Sequence, residues 1–387
     1  MDETSARTSA LTQLRQDNRD TVMRLLTELG PLTQSQLAQE SGLSKATVSN
    51  LVKELTAAGT ITSEHTVHNG RRANLIKLTP TQRVALGVDI TEHHFVLALV
   101  SSDRTVLDLR RVEVPAGGDG KDFVTAAKKN TAVMLKENGR KPADLVAVGL
   151  GLPAPVEAQT QQVALLSMLP TWMDEDAIAA LRTLTTGAFT VCNDANAAAV
   201  AEVAFGAHRG AQNLVYILIS RGIGAGMYLR GDAFTGALGF AGEIGHVQSA
   251  SGYELCRCGN RGCLEGEIAN PTLIKQVQAA GVECETIEDV AQALQTGQIA
   301  ARRVVADAGA VLGRALADLA SLLNPEVMVI GGNPAVTSEV FLESARIVLR
   351  RHCLPLLAER IDVYPDSLAG RAVALGAAEQ ALRSMDL

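Results

Sequence analysis

Three cysteines and one histidine in the second half of the chain have the residue types and the spacing of a metal site. Cys256, Cys258 and Cys263 lie within eight positions, and His246 precedes them by ten residues. Three thiolates and one imidazole complete the tetrahedral shell of a zinc ion and leave no coordination position for a reactive water molecule. Three free thiols beside a core histidine would be the alternative, but half of the chain's six cysteines cluster here. The sequence therefore predicts one structural zinc ion per chain.

A second set of polar residues occupies a predicted helix near the N-terminus. The set consists of short hydrogen-bonding side chains and two lysines. Its members are Ser44, Lys45, Thr47, Ser49, Asn50 and Lys53. Side chains of this kind contact base edges when such a helix enters the major groove of DNA. Behind it, the hairpin turn Asn69-Gly70 is followed by Arg71 and Arg72, which suit phosphates or a narrow minor groove. A helical module that contacts protein is the alternative, and the basic hairpin favours DNA.

The elements around these residues follow the order of a winged helix-turn-helix. Apolar residues recur at helical spacing between positions 18 and 29. Thr33 and Gln36 form a capping-box pattern at the start of a second helix, and Ser44 is a cap residue before the third. Two strands, Thr60–Val67 and Ala73–Leu78, then form the predicted wing. We assign residues 1–17 to a polar arm and residues 18–80 to the DNA-binding domain.

The pattern changes after Pro80 to strands that alternate with helices, which predicts an α/β domain over residues 81–387. The predicted strands cover 84–90, 95–100, 105–114, 145–150, 214–220, 226–229 and 327–330. The predicted helices cover 121–138, 195–205, 271–280, 287–294 and 300–323.

Composition sets the class of protein. Of the 387 residues, 47% are hydrophobic and 20% are charged, values typical of a soluble globular protein with two or three domains. The N-terminus lacks the basic start and apolar stretch of a signal peptide, and no apolar run reaches the ~20 residues that span a bilayer. We therefore expect a cytoplasmic protein with no membrane partner. The net charge of −7 does not exclude DNA, because it hides the local basic patch at Arg71 and Arg72.

Several motifs of the second domain together resemble the signature of the ROK family of repressors and sugar kinases, from about Leu86 to Leu382. The motifs, in chain order, are GLGLPAPVE at 149–157, CNDANAAAVAE at 192–202, SRGIGAG at 220–226, GFAGEIGHV at 239–247, CRCGNRGCLE at 256–265 and VIGGN at 329–333. The winged domain matches the repressor branch of the family. The resemblance implies a two-lobed actin-like, hexokinase-type fold, with lobes of roughly 81–195 plus the C-terminal helix and 196–370. It also implies a homodimer or a dimer of dimers.

The resemblance further implies which residues bind sugar: Asn193, Asp194, Glu243, His246 and Glu265. Carboxylates, an amide and an imidazole in a cleft satisfy the vicinal hydroxyls of a sugar. In this interpretation His246 binds zinc through its second nitrogen, and the zinc holds the loop that carries Glu265.

A sugar kinase is the alternative that the resemblance leaves open, with Asp194 as the base that deprotonates the sugar hydroxyl. The kinases carry an Asp-x-Gly-Gly-Thr turn where this chain has Asp89-Ile90-Thr91-Glu92-His93. Both glycines are absent, and Glu92 places a negative charge where phosphate should bind. Arg221 replaces the usual threonine of the second phosphate loop.

We therefore expect no enzymatic activity and no catalytic residue. The chain is predicted to be a repressor of carbohydrate-utilisation genes that binds a pseudo-palindromic operator and is released by a sugar or a sugar phosphate. The identity of the sugar, the direction of its effect and the choice between dimer and tetramer stay open at this point.

Overall fold

Two compact units make up the chain in the computed structural model, which describes residues 18–19, 21–26, 29–68, 71–79, 82–92, 94–114, 117–249 and 252–385. The first unit contains the described residues up to Gln82 together with Ser102–Thr105, and the second contains Arg83–Ser101 and the described residues from Val106 onward. The predicted arm at residues 1–17 and the predicted turn Asn69-Gly70 lie outside the described residues.

The first unit has the helices and strands of a winged helix-turn-helix. They are α1 (described at 18–19 and 21–26), β1 (Leu32–Thr33), α2 (Gln34–Ser41), α3 (Lys45–Ala57), β2 (Ile61–His68) and β3 (Arg71–Leu78). The strands form a sheet in the order β1-β3-β2.

Both predicted helix caps of this unit are present. The Oγ1 atom of Thr33 accepts a hydrogen bond from the Gln36 amide at 3.3 Å, and the Gln36 side chain accepts one from the Thr33 amide at 2.9 Å. The Oγ atom of Ser44 accepts a hydrogen bond from the Thr47 amide at 3.1 Å. Gly42 ends α2 with a φ of 68°, a left-handed conformation that glycine adopts without strain. Local sequence therefore fixes where α2 and α3 begin.

The sheet of this unit differs from the prediction in three ways, of which the smallest is that β2 covers Ile61–His68 rather than Thr60–Val67. The strand β1 was not predicted, and it pairs with β3 through Leu32 and Ile76. In addition, β3 begins at Arg71 rather than Ala73. The unit's buried core draws on all three helices and the sheet. Its fully or almost fully buried members include Val22, Leu26, Leu37, Val48, Leu55, Ile61 and Ile76.

The second unit contains two five-stranded mixed sheets. The first has the order β6-β5-β4-β7-β8 and comprises β4 (Val84–Ile90), β5 (His94–Ser101), β6 (Val106–Glu113), β7 (Leu145–Leu152) and β8 (Ala188–Asn193). The second has the order β11-β10-β9-β12-β13 and comprises β9 (Asn213–Ile219), β10 (Ile223–Leu229), β11 (Asp232–Ala233), β12 (Val327–Gly332) and β13 (Val363–Pro365).

Ten α-helices are described in this unit, in addition to short 3₁₀ turns. They are α4 (Gly120–Glu137), α5 (Glu175–Arg182), α6 (Asp194–Ala204), α7 (Glu265–Ile268), α8 (Asn270–Ala279), α9 (Ile287–Gln295), α10 (Ile299–Leu323), α11 (Glu339–His352), α12 (Pro355–Ala358) and α13 (Ala372–Arg383). The α/β prediction is confirmed, although β8, β11, β13, α5 and α11 were among the elements not predicted and β10 begins at Ile223 rather than Gly226.

Helices α6 and α13 share one hydrophobic cluster with residues from both sheets, which joins the two lobes. Glycines allow the close contacts in this cluster. A Cβ atom on Gly87 of β4 would lie 1.7 Å from the carbonyl oxygen of Ala374, and one on Gly376 would lie 1.8 Å from that of Ala197. Because no side chain fits at these distances, the backbones of α13, α6 and β4 pack directly on one another.

Candidate functional site

The start of α3 presents most of its predicted DNA-binding residues to solvent. Ser44, Lys45, Asn50 and Lys53 are exposed. Among the described residues, Lys45, Asn50 and Lys53 make no side-chain hydrogen bond or ion pair, so these side chains are available to another molecule.

Thr47 and the capping residue Ser44 have part of their hydrogen-bonding capacity committed within the helix. Thr47 and Ser49 are half-buried. The hydroxyl groups of Ser44 and Thr47 lie 2.9 Å apart, and the Ser44 hydroxyl caps the helix. These residues therefore help to position the helix start, whatever they contact in DNA.

The wing is a regular antiparallel hairpin up to its tip. Arg71 pairs with His68 and Arg72 pairs with Val67 through the backbone. The side chains of Arg71 and Arg72 lie outside the described part of the structure. Their predicted contact with DNA stays a prediction.

The predicted metal ligands come together in one cluster. His246 ends a short 3₁₀ turn, and Gly259 and Gly262, both at positive φ, fold the cysteine loop back on itself. One ligand atom from each of the four side chains lies within 4.8 Å of the others. Its members are His246, Cys256, Cys258 and Cys263. The cluster can therefore hold a metal ion.

The distances within this cluster match a tetrahedral ion. The sulfur atoms of Cys258 and Cys263 lie 3.7 Å apart, and the Cys256 sulfur lies 3.6 Å from Nδ1 of His246. Zinc–sulfur bonds of about 2.3 Å and zinc–nitrogen bonds of about 2.0 Å at tetrahedral angles require separations of about 3.8 Å and about 3.6 Å. The donor set suits zinc, and these two separations match a tetrahedral shell, whereas the 4.8 Å limit for the whole cluster means that binding would draw the ligands closer together.

Asp194, Glu243 and Glu265 are three carboxyl groups that interact electrostatically, and Glu243 interacts with both of the others. Burial raises the pKa of Asp194 to about 7, and the charge of Glu243 contributes to that rise, while the hydrogen bond from the Ala195 amide opposes it. Burial also raises the pKa of Glu243. The charge of His246 lowers this pKa, and the charge of Glu265 raises it. The structure therefore brings together four of the five residues assigned to sugar binding.

The fifth residue, Asn193, has a structural task. It ends β8 and caps α6, because its Oδ1 atom accepts a hydrogen bond from the Asn196 amide at 3.2 Å. Its Nδ2 atom donates to the Ala154 carbonyl at 3.3 Å. The Asn193 side chain also hydrogen-bonds the Asp194 carboxylate, and one lone pair on Oδ1 stays available to a ligand.

Sequence reasoning did not find the partner of Glu265. Arg257, the residue between the first two cysteines, donates from Nε to Oε1 of Glu265 at 2.7 Å and from Nη2 to Oε2 at 2.9 Å. Oε2 also accepts a hydrogen bond from the Ile223 amide at 3.3 Å. The sequence carried no local signal for this pair, because the fold of the metal loop brings the two side chains together.

The segments that match the kinase phosphate loops contact each other. The carboxylate of Glu92, which follows β4, lies 3.4 Å from the guanidinium of Arg221, which follows β9. The Glu92 carbonyl accepts a hydrogen bond from the indole of Trp172 at 2.9 Å. His93 lies outside the described residues. Glu92 and Arg221 thus form an ion pair between segments of the two lobes.

The chain is similar to known repressors over nearly its whole length and to known sugar kinases over the second unit. Residues 85–383 match the ROK family, and residues 21–72 match the MarR family. The xylose repressor of Caldicellulosiruptor bescii is 26% identical over 393 residues, which covers 97% of each chain.

None of the described helices is long and apolar enough to cross a membrane.

Two solved structures, one of a transcriptional regulator and one of a sugar kinase, differ in the share of this chain that they match. A ROK family transcriptional regulator, a homologue of the Escherichia coli MLC protein, superposes with a TM-score of 0.76 at 25% identity and covers 95% of this chain and 96% of its own. A ROK family glucokinase from Streptomyces griseus, in complex with glucose and AMPPNP, has a TM-score of 0.67 at 25% identity. It covers 78% of this chain and 99% of its own.

Proposed function

This chain belongs to the ROK family, and from that membership we propose that it is a sugar-responsive transcriptional repressor of carbohydrate-utilisation genes. The observation that carries the proposal is the presence, in one chain, of a winged helix-turn-helix with an exposed polar α3 and of a carboxylate cluster suited to sugar hydroxyls. The coverage of the relatives supports it, because the repressor and the regulator align along nearly the whole chain and the glucokinase does not.

DNA binding falls to α3 and the wing. Lys45, Asn50 and Lys53 contact base edges or phosphates from α3, and Arg71 and Arg72 contact the backbone or the minor groove from the wing. A homodimer, alone or paired with a second dimer, places two such units on a pseudo-palindromic operator. We expect the protein in the cytoplasm, where its DNA target is.

The sugar binds between elements of both lobes. Asp194 follows β8 of the first sheet, and Glu243 follows β11 of the second. A ligand that donates hydroxyl hydrogen bonds to both carboxylates stabilises one arrangement of the lobes over others. A hundredfold change in operator affinity requires about 2.7 kcal/mol of coupling. Two or three hydrogen bonds made in one arrangement supply that amount at about 1 kcal/mol each.

The metal in this proposal is zinc, held by His246, Cys256, Cys258 and Cys263. When bound, the ion supplies a rigid cross-link and no reactive water. These four residues connect the turn after Glu243 to the loop before Glu265, so they hold the two carboxylates in a fixed position relative to each other.

An operator titration tests the proposal. Duplexes that the protein selects from a random pool are labelled, and their binding is followed by fluorescence anisotropy with and without a panel of sugars and sugar phosphates. We expect a pseudo-palindromic consensus and at least a tenfold change in affinity with one member of the panel. Selective DNA binding that no member of the panel alters would contradict the sugar-responsive function.

A sugar kinase is the second candidate, because a pKa of about 7 suits Asp194 to general-base catalysis. The sequence of the first phosphate turn argues against it, since Glu92 adds a negative charge to the segment that we align with the glycine turn of the kinases. We expect no sugar phosphate above background from the purified protein with magnesium, ATP and the panel sugars. Sustained turnover that Asp194→Asn abolishes would favour the kinase instead.

A further inference from the structure

Arg257 brings a cation into the proposed sugar site. Its guanidinium holds both oxygens of Glu265, whose side chain is 9% exposed, while the Arg257 side chain itself is 41% exposed. One edge of the guanidinium is therefore committed to the buried carboxylate, and the rest of the side chain is accessible. Any ligand that reaches Glu265 also reaches Arg257.

A count of donors and acceptors shows what this pair offers a ligand. A carboxylate has about four lone-pair positions, and Glu265 uses three of them on Arg257 and on the Ile223 amide. One position remains, too few for two vicinal hydroxyls. A guanidinium has about five N–H donors. Arg257 uses two on Glu265, so three N–H groups are left. The pair therefore offers mainly donors, whereas a carboxylate alone would offer only acceptors.

The loop between β9 and β10 lies against the same pair. A Cβ atom on Gly222 would lie 2.9 Å from Nη2 of Arg257 and 2.7 Å from Oε2 of Glu265, so the ion pair packs closely against the main chain at this glycine. The neighbouring residue, Arg221, contributes a second guanidinium that is 57% exposed. Its partner Glu92 is 50% exposed at 3.4 Å, and exposed pairs of this kind are weak. Arg221 can therefore turn toward a ligand at low cost.

We propose that Arg257 makes the sugar site selective for an anionic sugar, one that carries a phosphate ester or a carboxylate. This inference rests on the proposed function. The anion binds the free edge of Arg257 beside the Ser220–Gly222 loop, while the sugar hydroxyls bind Asp194 and Glu243. Arg257 keeps its bond to Glu265, so that no buried carboxylate is left unpaired. Arginine suits this task because its planar fork matches the oxygens of phosphate and carboxylate groups.

Matched ligands test the selectivity. Dissociation constants for glucose, glucose 6-phosphate and glucuronate are measured by calorimetry on the full-length, zinc-loaded protein, together with N-acetylglucosamine and its 6-phosphate. We expect at least one anionic sugar to bind tenfold or more tightly than its neutral counterpart. The phosphate and glucuronate arms distinguish a phosphate ester from a carboxylate.

Three variants assign the preference to Arg257. Arg257→Gln should reduce the ratio of anionic to neutral affinity about tenfold or more, and Arg257→Lys should keep part of it because the charge remains. Arg261→Gln is the control, since Arg261 is an exposed arginine of the same metal loop, and it should leave the ratio unchanged. Zinc content and the sugar-free melting temperature of each variant report whether the loop is intact.

The outcomes separate this inference from the proposed function. Neutral sugars that bind wild-type protein as tightly as anionic ones, or a preference for the anion that survives in a folded Arg257→Gln protein, would overturn the role of Arg257 and leave the repressor proposal standing. Binding of neither kind of sugar would overturn both. If Arg257→Gln loses zinc or does not fold, the ratio of anionic to neutral affinity measured with Arg257→Lys decides. A ratio equal to that of wild type, even with weaker binding of the neutral sugar, would also reject the role of Arg257.

Discussion

Asp89 is expected to make the stability of the second unit depend on pH. It lies in β4 between Val96 of β5 and Gly151 of β7, and it is 8% exposed. Burial, assisted by the charge of Asp194, raises the pKa of Asp89 from its ordinary value of 3.8 to about 8. The folded protein thus binds this proton more tightly than the unfolded chain, and Asp89→Asn should remove the difference.

The sign and the size of the effect follow from proton linkage. A carboxyl group whose folded pKa is raised contributes its full stability below pH 3.8 and loses it as the pH rises toward 8. Each pKa unit corresponds to about 1.36 kcal/mol, so the free energy of unfolding should fall by about 3–4 kcal/mol between pH 5 and pH 8 on account of Asp89 alone. In Asp89→Asn this part of the pH dependence should be absent.

Denaturant unfolding at pH 5, 6, 7 and 8 measures the effect. The chain has one tryptophan, Trp172, which packs in the same cluster as residues of β4, so its fluorescence reports on the second unit. Asp318→Asn, on the exposed face of α10, is the control and should retain the wild-type slope. Equal slopes for wild-type protein and Asp89→Asn would refute the reasoning, because burial would then impose no penalty on the charged form.

Three further predictions concern the metal, the DNA and the sugar. Cys258→Ser should lower the zinc content, measured by elemental analysis, well below one ion per chain and remove the response to sugar, since three ligands no longer close the loop; a normal response from metal-free protein would contradict this coupling. Replacing Arg71 and Arg72 by alanine should weaken binding to all DNA sequences and flatten its salt dependence, whereas Asn50→Ala should change base preference; an unchanged salt slope in anisotropy titrations would reject the wing assignment. Glu243→Ala should leave sugar-free operator binding within about twofold of wild type and abolish the effect of sugar, and a retained effect would remove Glu243 from the site.

Local rules were sufficient for the caps and the starts of α2 and α3 in the first unit. Thr33 and Ser44 accept hydrogen bonds from amides three residues ahead, so a few consecutive residues determine the outcome. The strand β1 escaped prediction because two residues acquire strand geometry only by pairing with Ile76, more than forty positions away. The same reasoning explains why β10 begins earlier than expected. A Cβ atom on Gly226 would lie 2.0 Å from the Ala195 carbonyl oxygen, so this glycine serves packing against α6 rather than a turn.

The sequence predicted which residues form the candidate site better than it predicted the interactions between their side chains. The spacing of the cysteines sufficed for the metal cluster, because close ligands in a glycine-containing loop have few other ways to meet. The cap formed by Asn193 was accessible to the ordinary rule that asparagine before a helix caps it. The pairing of Arg257 with Glu265 depends on how the metal loop folds, which no local pattern encodes.

The glycine contacts around α13 have a mechanical consequence. Gly87 and Gly149 bring two strands of the first sheet against the main chain of α13, and Gly376 brings α13 against the main chain of α6. A helix whose carbonyl groups pack against glycines resists sliding, because a shift by one residue would place a side chain where there is no space for one. Sliding of α13 along these contacts is therefore disfavoured, and rotation about the contact between α6 and α13 is the motion that they restrict least. Because displacement in a rotation grows with distance from the axis, a ligand that shifts the lobes slightly near this contact would shift their outer edges more.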